Sequence, residues 1–450
     1  MSIVVRIFCP TGIIRVTLPT DSMLSDLMSE IAERTGVPIE KQCLSIAPSD
    51  TSIDPNVNVK LDKIGIVHGT ILNLNSDYPV EFQDTSKEIP EFMQDVKFKS
   101  FDSFLSERGY NVSDLPLKNE YLPVKIEVGK MNKIPQSIAL KRQPYRHVDH
   151  LEIMNTEEIR NFVNFWMHDC EMLTQRCGWM YGYYIEDVHY PMGIRAVCEA
   201  IYEPIQTGDI ESVRIEPDNF LSVVDTIAER LGLERIGFIF SHLPRDNFFL
   251  TAQEIYDIAK IQNSRIDTGH YTGYNASHHV TCTISPDVNN NGECSLNAFM
   301  VSDMGMALVR DGLIDPKQDD NLKIHLVNPN EYVIFPGVLE EGTETTSFDT
   351  SWVLVRVNES APITPNSFFK NSLFQRENRG KAPNIQAYFM KANGANDNPK
   401  DGFDSHVLYS DFHLLLHIAK NVDIDTALAI CDSLMKEEPV DNLIRQILTA

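Results

Sequence analysis

The amino-acid sequence predicts an α+β protein of several domains. A β-rich pattern with one helix fills the first 76 residues, strand and helix patterns alternate from Val148 onward, and the chain closes in helical patterns. The length of 450 residues suits two to four domains at about 150 residues each. A hydrophobic content of 42% is enough for real cores.

In the first unit, Ile3–Phe8 and Ile13–Leu18 are β-rich runs around the turn Pro10-Thr11-Gly12, a hairpin signal. Asp21 or Ser22 can cap a helix whose apolar positions Leu24, Leu27, Met28, Ile31 and Ala32 follow helical spacing, with Gly36 and Pro38 ending it. A strand at Leu44–Ala47 and the apolar positions from Leu61 to Leu74 complete the order ββαβ plus a final strand, that of a ubiquitin-like β-grasp domain. The helix is required to cover one face of a sheet that cannot stand alone.

Ser76–Glu91 is polar and reads as a linker. Phe98–Leu105 fits a short helix, and Pro116, Pro123, Pro135 and Pro144 punctuate extended chain after it. Beyond Val148 the reading is a helix over Glu157–Leu173, strands at Gly178–Ile185 and Ile194–Tyr202, a helix over Leu221–Leu231 and a strand at Ile236–Phe240. Thr251 and Glu254 form a capping box for the next helix. Strands are expected at 279–285, 295–302 and 352–357, and helices near 410–420, 424–436 and 439–449.

A formal net charge of -25 argues against general binding of nucleic acid or anionic membranes, which need a basic face. The cysteines at 9, 43, 170, 177, 198, 282, 294 and 431 form no C-x-x-C pair and read as reduced thiols. The N-terminal sequence lacks the profile of a signal peptide, and no run approaches the roughly 18 apolar residues of a membrane span. The expectation is a cytosolic or nuclear protein.

Several ordered motifs resemble the nuclear protein localisation protein 4 family. They are Gln143–Asp149 (QPYRHVD), Gln175–Gly182 (QRCGWMYG), Gly193–Ala196, Ile201–Pro204, Gly237–His242 (GFIFSH), Val301–Asp303, Ala307–Gly312 (ALVRDG) and Asp411–Leu416 (DFHLLL). The resemblance runs with gaps from about residue 135 to about 420. It implies a ubiquitin-like domain at 1–76, a linker with a degenerate zinc-finger region at 77–134, an inactive MPN-like α/β domain at 135–340 and a C-terminal domain at 341–450, helical toward its end. It further implies a non-catalytic adaptor that brings polyubiquitinated substrates to the valosin-containing AAA unfoldase. The implied partners are ubiquitin, its chains and the ubiquitin fusion degradation protein one. The implied setting is ubiquitin-dependent degradation, including that at the endoplasmic reticulum, in the cytoplasm and nucleus and peripherally at the nuclear envelope. A structural MPN scaffold subunit and an atypical deubiquitinase are the alternatives.

An active MPN metalloprotease carries two histidines and an aspartate on zinc as H-x-H-P-x7-S-x2-D, with an upstream glutamate as general base. Three protein ligands leave a position for a water whose pKa the metal lowers to about 7. Matched to that pattern, the first histidine falls on Phe240, the second on His242, the serine on Thr251, the aspartate on Glu254 and the glutamate on Gln175. Phe240 cannot ligate and Gln175 cannot act as a base, so this site is expected to be dead, with no catalytic residue, metal or cofactor. Relatives in the family carry zinc fingers between the ubiquitin-like and MPN domains, and here no cysteine lies between Cys43 and Cys170. Loss of the fingers is the expectation.

His270, His278, His279 and Cys282 could suggest a metal cluster, and a loop leading into a strand is the plainer reading. Arg146-His147-Val148-Asp149 is expected to form a buried Arg–Asp junction, with a binding motif as the alternative. Trp179, Tyr181, Tyr183 and Tyr184 alternate roughly as a strand does, which predicts core packing, with a ubiquitin-docking surface as the alternative. Ala392–Gly402 reads as a loop, without the spacing of a phosphate cradle.

Overall fold

The structure is a computed structural model. It describes residues 2–75 and 124–440, less 10–11, 20–21, 36, 47–50, 54–58 and 68–69 in the first span and 127–128, 130–133, 188, 191–192, 247, 267–269, 273–275, 288–291, 329–332, 381–382, 384, 386 and 389–404 in the second. The short helix expected at Phe98–Leu105, the loop Ala392–Gly402 and most of the helix expected at 439–449 lie outside the described residues. The chain divides into two compact units, Met1–Ile89 and Pro90–Ala450.

In the first unit, β1 (Ser2–Cys9) and β2 (Gly12–Pro19) pair antiparallel from Ser2↔Pro19 to Cys9↔Gly12, as the hairpin signal requires. Helix α1 (Leu24–Thr35) follows, then β3 (Cys43–Ile46), β4 (Thr51–Ser52) and β5 (Ile71–Asn75). The sheet order is β2-β1-β5-β3-β4, with β5 parallel to β1. Leu24, Leu27, Met28 and Ile31 of α1 pack with Val5, Ile7, Val16, Leu44 and Leu72 in one core. That is the β-grasp arrangement.

The second unit is built on a closed barrel. Its strands are β6 (His150–Ile153), β7 (Cys177–Glu186), β8 (Ile194–Tyr202), β9 (Glu234–Ser241), β10 (Val280–Pro286), β11 (Cys294–Val301) and β12 (Leu354–Ser360). Their order is β8-β6-β12-β11-β10-β9-β7, closing back on β8. Successive side chains go to opposite faces, which divides the apolar residues between two cores. Met180, Ile236, Ile239, Cys282, Ala298 and Met300 face one, together with Phe162 and Trp166 of the helical segment after β6. Trp179, Tyr181, Phe238, Phe240, Phe299 and Val301 face the other, which the remaining helices cover. Strands β7, β8, β9 and β10 are buried on both faces over most of their length, so β7, β9 and much of β8 and β10 read as largely apolar runs. Gly182 and Gly237 allow the strands to approach: a Cβ there would lie 1.7 Å from the Val197 carbonyl oxygen and 2.3 Å from that of Val280.

The helices packed around this barrel include α2 (Thr156–Asn164), α3 (Leu221–Arg230), α4 (Ala252–Asn263), α5 (Asp303–Arg310), α6 (Ser405–Tyr409), α7 (Phe412–Asn421) and α8 (Ile424–Met435). The helix expected over Glu157–Leu173 ends sooner. After α2 the turn widens to a π-helix at Phe165–Asp169, Glu171 and Met172 take positive φ, and Leu173 is exposed. Helix α5 has no counterpart among the expected elements. Ser302 caps it by accepting from the Gly305 N–H at 3.2 Å. The described cysteines Cys43, Cys170, Cys177, Cys198, Cys282, Cys294 and Cys431 are free thiols. Among the described residues, no helix is long and apolar enough to cross a membrane.

Candidate functional site

The residues matched to a metalloprotease pattern lie at the C-terminal end of β9 and the start of α4. Phe240 is 3% exposed, its ring 5.9 Å from that of Phe238 and 6.1 Å from that of His242. Gln175 is also buried and lies one residue before Arg176, whose N–H donates to Ser241 Oγ at 3.0 Å while the Ser241 N–H donates to the Arg176 carbonyl at 2.9 Å. Gln175 therefore stands beside the strand end carrying Phe240 and His242. The His242 ring is buried, and its Nδ1 lies 2.7 Å from the Leu243 carbonyl. A carbonyl only accepts, so in the neutral ring the proton sits on Nδ1 and Nε2 is the free base. Burial, then the Arg245 charge, lowers the pKa of His242. The ring is neutral near pH 7.

Thr251 and Glu254 make the expected capping box. The Glu254 N–H donates to Thr251 Oγ1 at 3.1 Å, and the Thr251 N–H donates to Glu254 Oε2 at 2.9 Å. Arg245 then occupies the same carboxylate, Nη1 donating to Oε2 at 2.7 Å and Nη2 to Oε1 at 2.6 Å. The guanidinium also lies 5.5 Å over the Phe248 ring and donates to the Phe249 carbonyl at 3.1 Å. Sequence reasoning missed Arg245. It sits in a loop, and nothing in its spacing marks it as the partner of a carboxylate nine residues on. A depression of about 340 Å³ opens here, lined by His242, Arg245, Phe248, Phe249, Thr283, Ser285 and Asn297. Of the five matched residues only His242 reaches it. An arginine in place of a cation's ligand shell, an apolar ring and an amide make a donor set unsuited to zinc.

The other expected clusters resolve differently. His270 and His278 stack at 4.8 Å and are bridged by Thr272 Oγ1, 2.7 Å from His270 Nδ1 and 3.0 Å from His278 Nε2. His279 points to the opposite face, against Trp179. Among the described residues, no group of three or more His, Cys, Asp or Glu side chains could hold a metal ion. The Arg146–Asp149 junction is corrected. Asp149 accepts from the Ile194 N–H at 3.0 Å, and the docking contact is made by the neighbouring His147, 2.7 Å from Asp303 Oδ1. Tyr145 donates to Asp303 Oδ2 at 2.8 Å, and the Asp303 N–H donates to Gln143 Oε1 at 2.8 Å. The QPYRHVD segment thus meets the Ser302-Asp303 motif at the head of α5. Trp179, Tyr181 and Tyr184 are buried and Tyr183 packs against the core, so this run forms core rather than a docking surface.

A second buried network fastens the C-terminal segment to α2. Glu158 pairs with Arg376 and lies 3.0 Å from His413 Nε2, while Glu377 lies 2.8 Å from His413 Nδ1. Burial works to raise the pKa of Glu158, yet Arg376 and His413 bring it down to about 2. Burial works to lower that of His413, yet Glu377 and Glu158 raise it to about 9. Arg379 and Arg176 likewise share Glu203, and both lie over the Phe165 ring. This network explains the DFHLLL motif: Asp411 caps α7 by accepting from the His413 and Leu414 N–H groups, and His413 adds a second buried cation to that of Arg376.

Fold and site together define a mixed α/β protein with an N-terminal ubiquitin-like unit. The sequence model of the NPL4 family matches residues 176–442, more than half of the chain, and the chain belongs to that family. The model described as nuclear pore localisation protein NPL4 matches residues 2–75, and that of the family's putative zinc binding region matches residues 129–169. This last match overlaps the segment read as a finger remnant only at 129–134 and contains no cysteine.

The nuclear protein localization protein 4 homolog of Drosophila melanogaster is 31% identical over 320 residues, covering 64% of this chain and 47% of that protein. The Saccharomyces cerevisiae protein of the same name is 30% identical, covering 70% and 60%, and the Homo sapiens homolog is 30% identical, covering 64% and 50%. The chain spans about half the length of the curated relatives it matches. A solved chain described as a design based on ubiquitin aligns with a TM-score of 0.15 and 25% identity, over 17% of this chain and 89% of that one.

Proposed function

We propose that this protein is a non-catalytic adaptor that recruits polyubiquitinated substrates to the valosin-containing AAA unfoldase together with the ubiquitin fusion degradation protein one. It would serve ubiquitin-dependent degradation, including that at the endoplasmic reticulum, from the cytoplasm and nucleus. The barrel with its helices is an inactive MPN-like domain on this reading, followed by a C-terminal domain. The observation that carries it is the pairing of Glu254 with Arg245, beside Phe240 in a ligand position. Both make the site unfit for a hydrolytic metal. Family membership and the β-grasp unit support the link to ubiquitin, and the relatives are named for protein localisation rather than for a reaction.

The zinc fingers are read as lost. Two of the three histidines in the matched zinc-binding region, His147 and His150, are taken up by Asp303 and by Ser360 and Asp187. The test is a pull-down with the tagged full chain, read by mass spectrometry and followed by incubation with polyubiquitin and zinc. Capture of the ATPase and of intact chains supports the reading. Zinc-dependent, chelator-sensitive release of ubiquitin by the wild type but not by His242→Ala overturns it in favour of a deubiquitinase.

A further inference from the structure

Across the helix-covered face of the barrel, Trp179 of β7, Phe238 of β9, Thr281 of β10 and Phe299 of β11 stand in one row, set by the registers Phe238↔Trp179, Phe238↔Thr281 and Thr281↔Phe299. His279 precedes Thr281 by two residues and so faces the same side. Its ring stands 5.9 Å from that of Trp179, nearly perpendicular to it at 73°. The Arg235 guanidinium lies 4.9 Å from the centre of the indole.

Every polar group of this row is buried, and none is satisfied. His279 is 2% exposed, Thr281 1% and Trp179 7%. Trp179 Nε1, both ring nitrogens of His279, Thr281 Oγ1 and Arg235 Nε have no hydrogen-bond partner among the described residues. Each such group, left alone, carries its full desolvation penalty, and most are paired in folded proteins. The indole and guanidinium N–H groups can only donate. Burial, then the charges of Arg265 and Arg235, lowers the pKa of His279 far below its usual value, so the ring is neutral and brings one further N–H. Thr281 brings a hydroxyl. Three donors therefore stand beside the indole's own N–H, against two acceptors, the second His279 nitrogen and the Thr281 oxygen. The carboxylate that Arg235 reaches, Asp225, is already shared with the Tyr181 hydroxyl at 2.7 Å.

We propose that Trp179, His279 and Thr281, with Arg235 and Arg265 beside them, form a binding site for one small monovalent anion, a halide or a carboxylate group. An anion accepts several hydrogen bonds at once and carries the charge opposite to Arg265, Arg235 being already paired with Asp225. A water molecule could donate to the second His279 nitrogen and to the Thr281 oxygen, but it accepts only two of the four donors and leaves the Arg265 charge unmatched. The stacked pair His270–His278 lies on the other face and takes no part, which separates this site from the cluster expected of the four residues His270, His278, His279 and Cys282.

The test uses the full chain. Thermal unfolding is followed at fixed ionic strength in sodium bromide, in sodium acetate and in sodium gluconate, whose anion is too bulky for a buried site. The midpoint is expected to rise by about 2 °C in the favoured small anion at ten times its Kd. A rise in bromide identifies a halide site, and a rise in acetate alone a carboxylate site. Thr281→Val keeps the shape, removes the hydroxyl and should cut the rise to under about 1 °C; Arg265→Gln serves in its place if that variant does not fold. Crystals soaked in bromide should show anomalous signal within hydrogen-bond distance of Trp179 Nε1 when the site is a halide site. Midpoints equal in all three salts, a rise that both variants retain in full, or refined water at those atoms in crystals grown with the favoured anion overturns the proposal.

Discussion

Arg245 holds both carboxylate oxygens of Glu254 at 2.7 and 2.6 Å, where the aspartate ligand of an MPN metalloprotease would fall. A zinc ion there would have to displace a bidentate guanidinium and then sit beside its charge, with Phe240 offering no nitrogen. Elemental analysis of protein purified without chelators is therefore expected to find far less than one zinc per chain. One tightly held zinc would sink the reading of a dead site and of lost fingers together.

The same pair has a structural role. Thr251→Ala removes the N-cap of α4 and should cost about 1 kcal/mol. Arg245→Ala leaves a half-buried Glu254 without its cation and should cost about 1–3 kcal/mol. Urea unfolding of each variant measures both, and an Arg245→Ala protein as stable as wild type would show that the ion pair contributes nothing to holding the loop.

Phe240 is 3% exposed and lies in the helix-covered core with Phe238. Phe240→Ala should therefore cost about 3–5 kcal/mol. A loss below about 1 kcal/mol in denaturant unfolding would place the ring in a groove rather than in the core.

How far these features are legible in the sequence follows from what each residue packs against. Strand β9 is plain because Ile236–Phe240 is apolar on both faces, and both faces are covered. Strand β6 is not, because its His150 and Glu152 are buried by pairing with Ser360, Asp187 and Arg195 rather than by being apolar. Helix α5 escapes because eight residues give too little periodicity, although Ser302 stands at its cap. The capping box at Thr251 and Glu254 is readable as a local pattern. Its third member, Arg245, depends on how a loop folds back, which no local pattern encodes. His147 reads as a bystander to Arg146 for the same reason: its partner Asp303 lies 156 residues away.

The buried network around His413 makes stability depend on pH in a definite direction. His413 has its pKa raised from 6.5 to about 9, so its contribution is complete below about pH 6.5 and is lost as pH rises through 9. Glu158 is lowered from 4.5 to about 2, so its contribution is complete above about pH 4.5 and is lost as pH falls through 2. Between pH 7 and 9 the histidine gives the largest single change. Beside it stand the tail of Glu199, raised to about 7, and the onset from buried thiols such as Cys177 and Cys282, pushed up by burial. The thermal midpoint should fall across that window. In His413→Gln the fall between pH 7 and 8, where the thiols contribute least, should shrink markedly. A wild type with a flat profile from pH 7 to 9 would mean that His413 is not held as a cation.

Residue types alone are not expected to restore a hydrolytic centre. Phe240→His, Glu254→Asp and Gln175→Glu together rebuild the metal-site residues at the end of β9 and the head of α4. Arg245 remains, however, within reach of any carboxylate at position 254, and the shorter aspartate would no longer close the capping box as Glu254 does at 2.9 Å to the Thr251 N–H. His242 also has Nδ1 committed to the Leu243 carbonyl, so only Nε2 could ligate. The triple variant is therefore expected to bind zinc weakly and to leave polyubiquitin intact, since a metal site also needs its orienting groups. Adding Arg245→Ala should raise zinc occupancy, measured by elemental analysis after dialysis, because it removes both the competing cation and the local positive charge. If the triple variant with Arg245 intact already holds one zinc per chain, the guanidinium is not what closes the site, and the absence of cleavage would have to come from the substrate path instead.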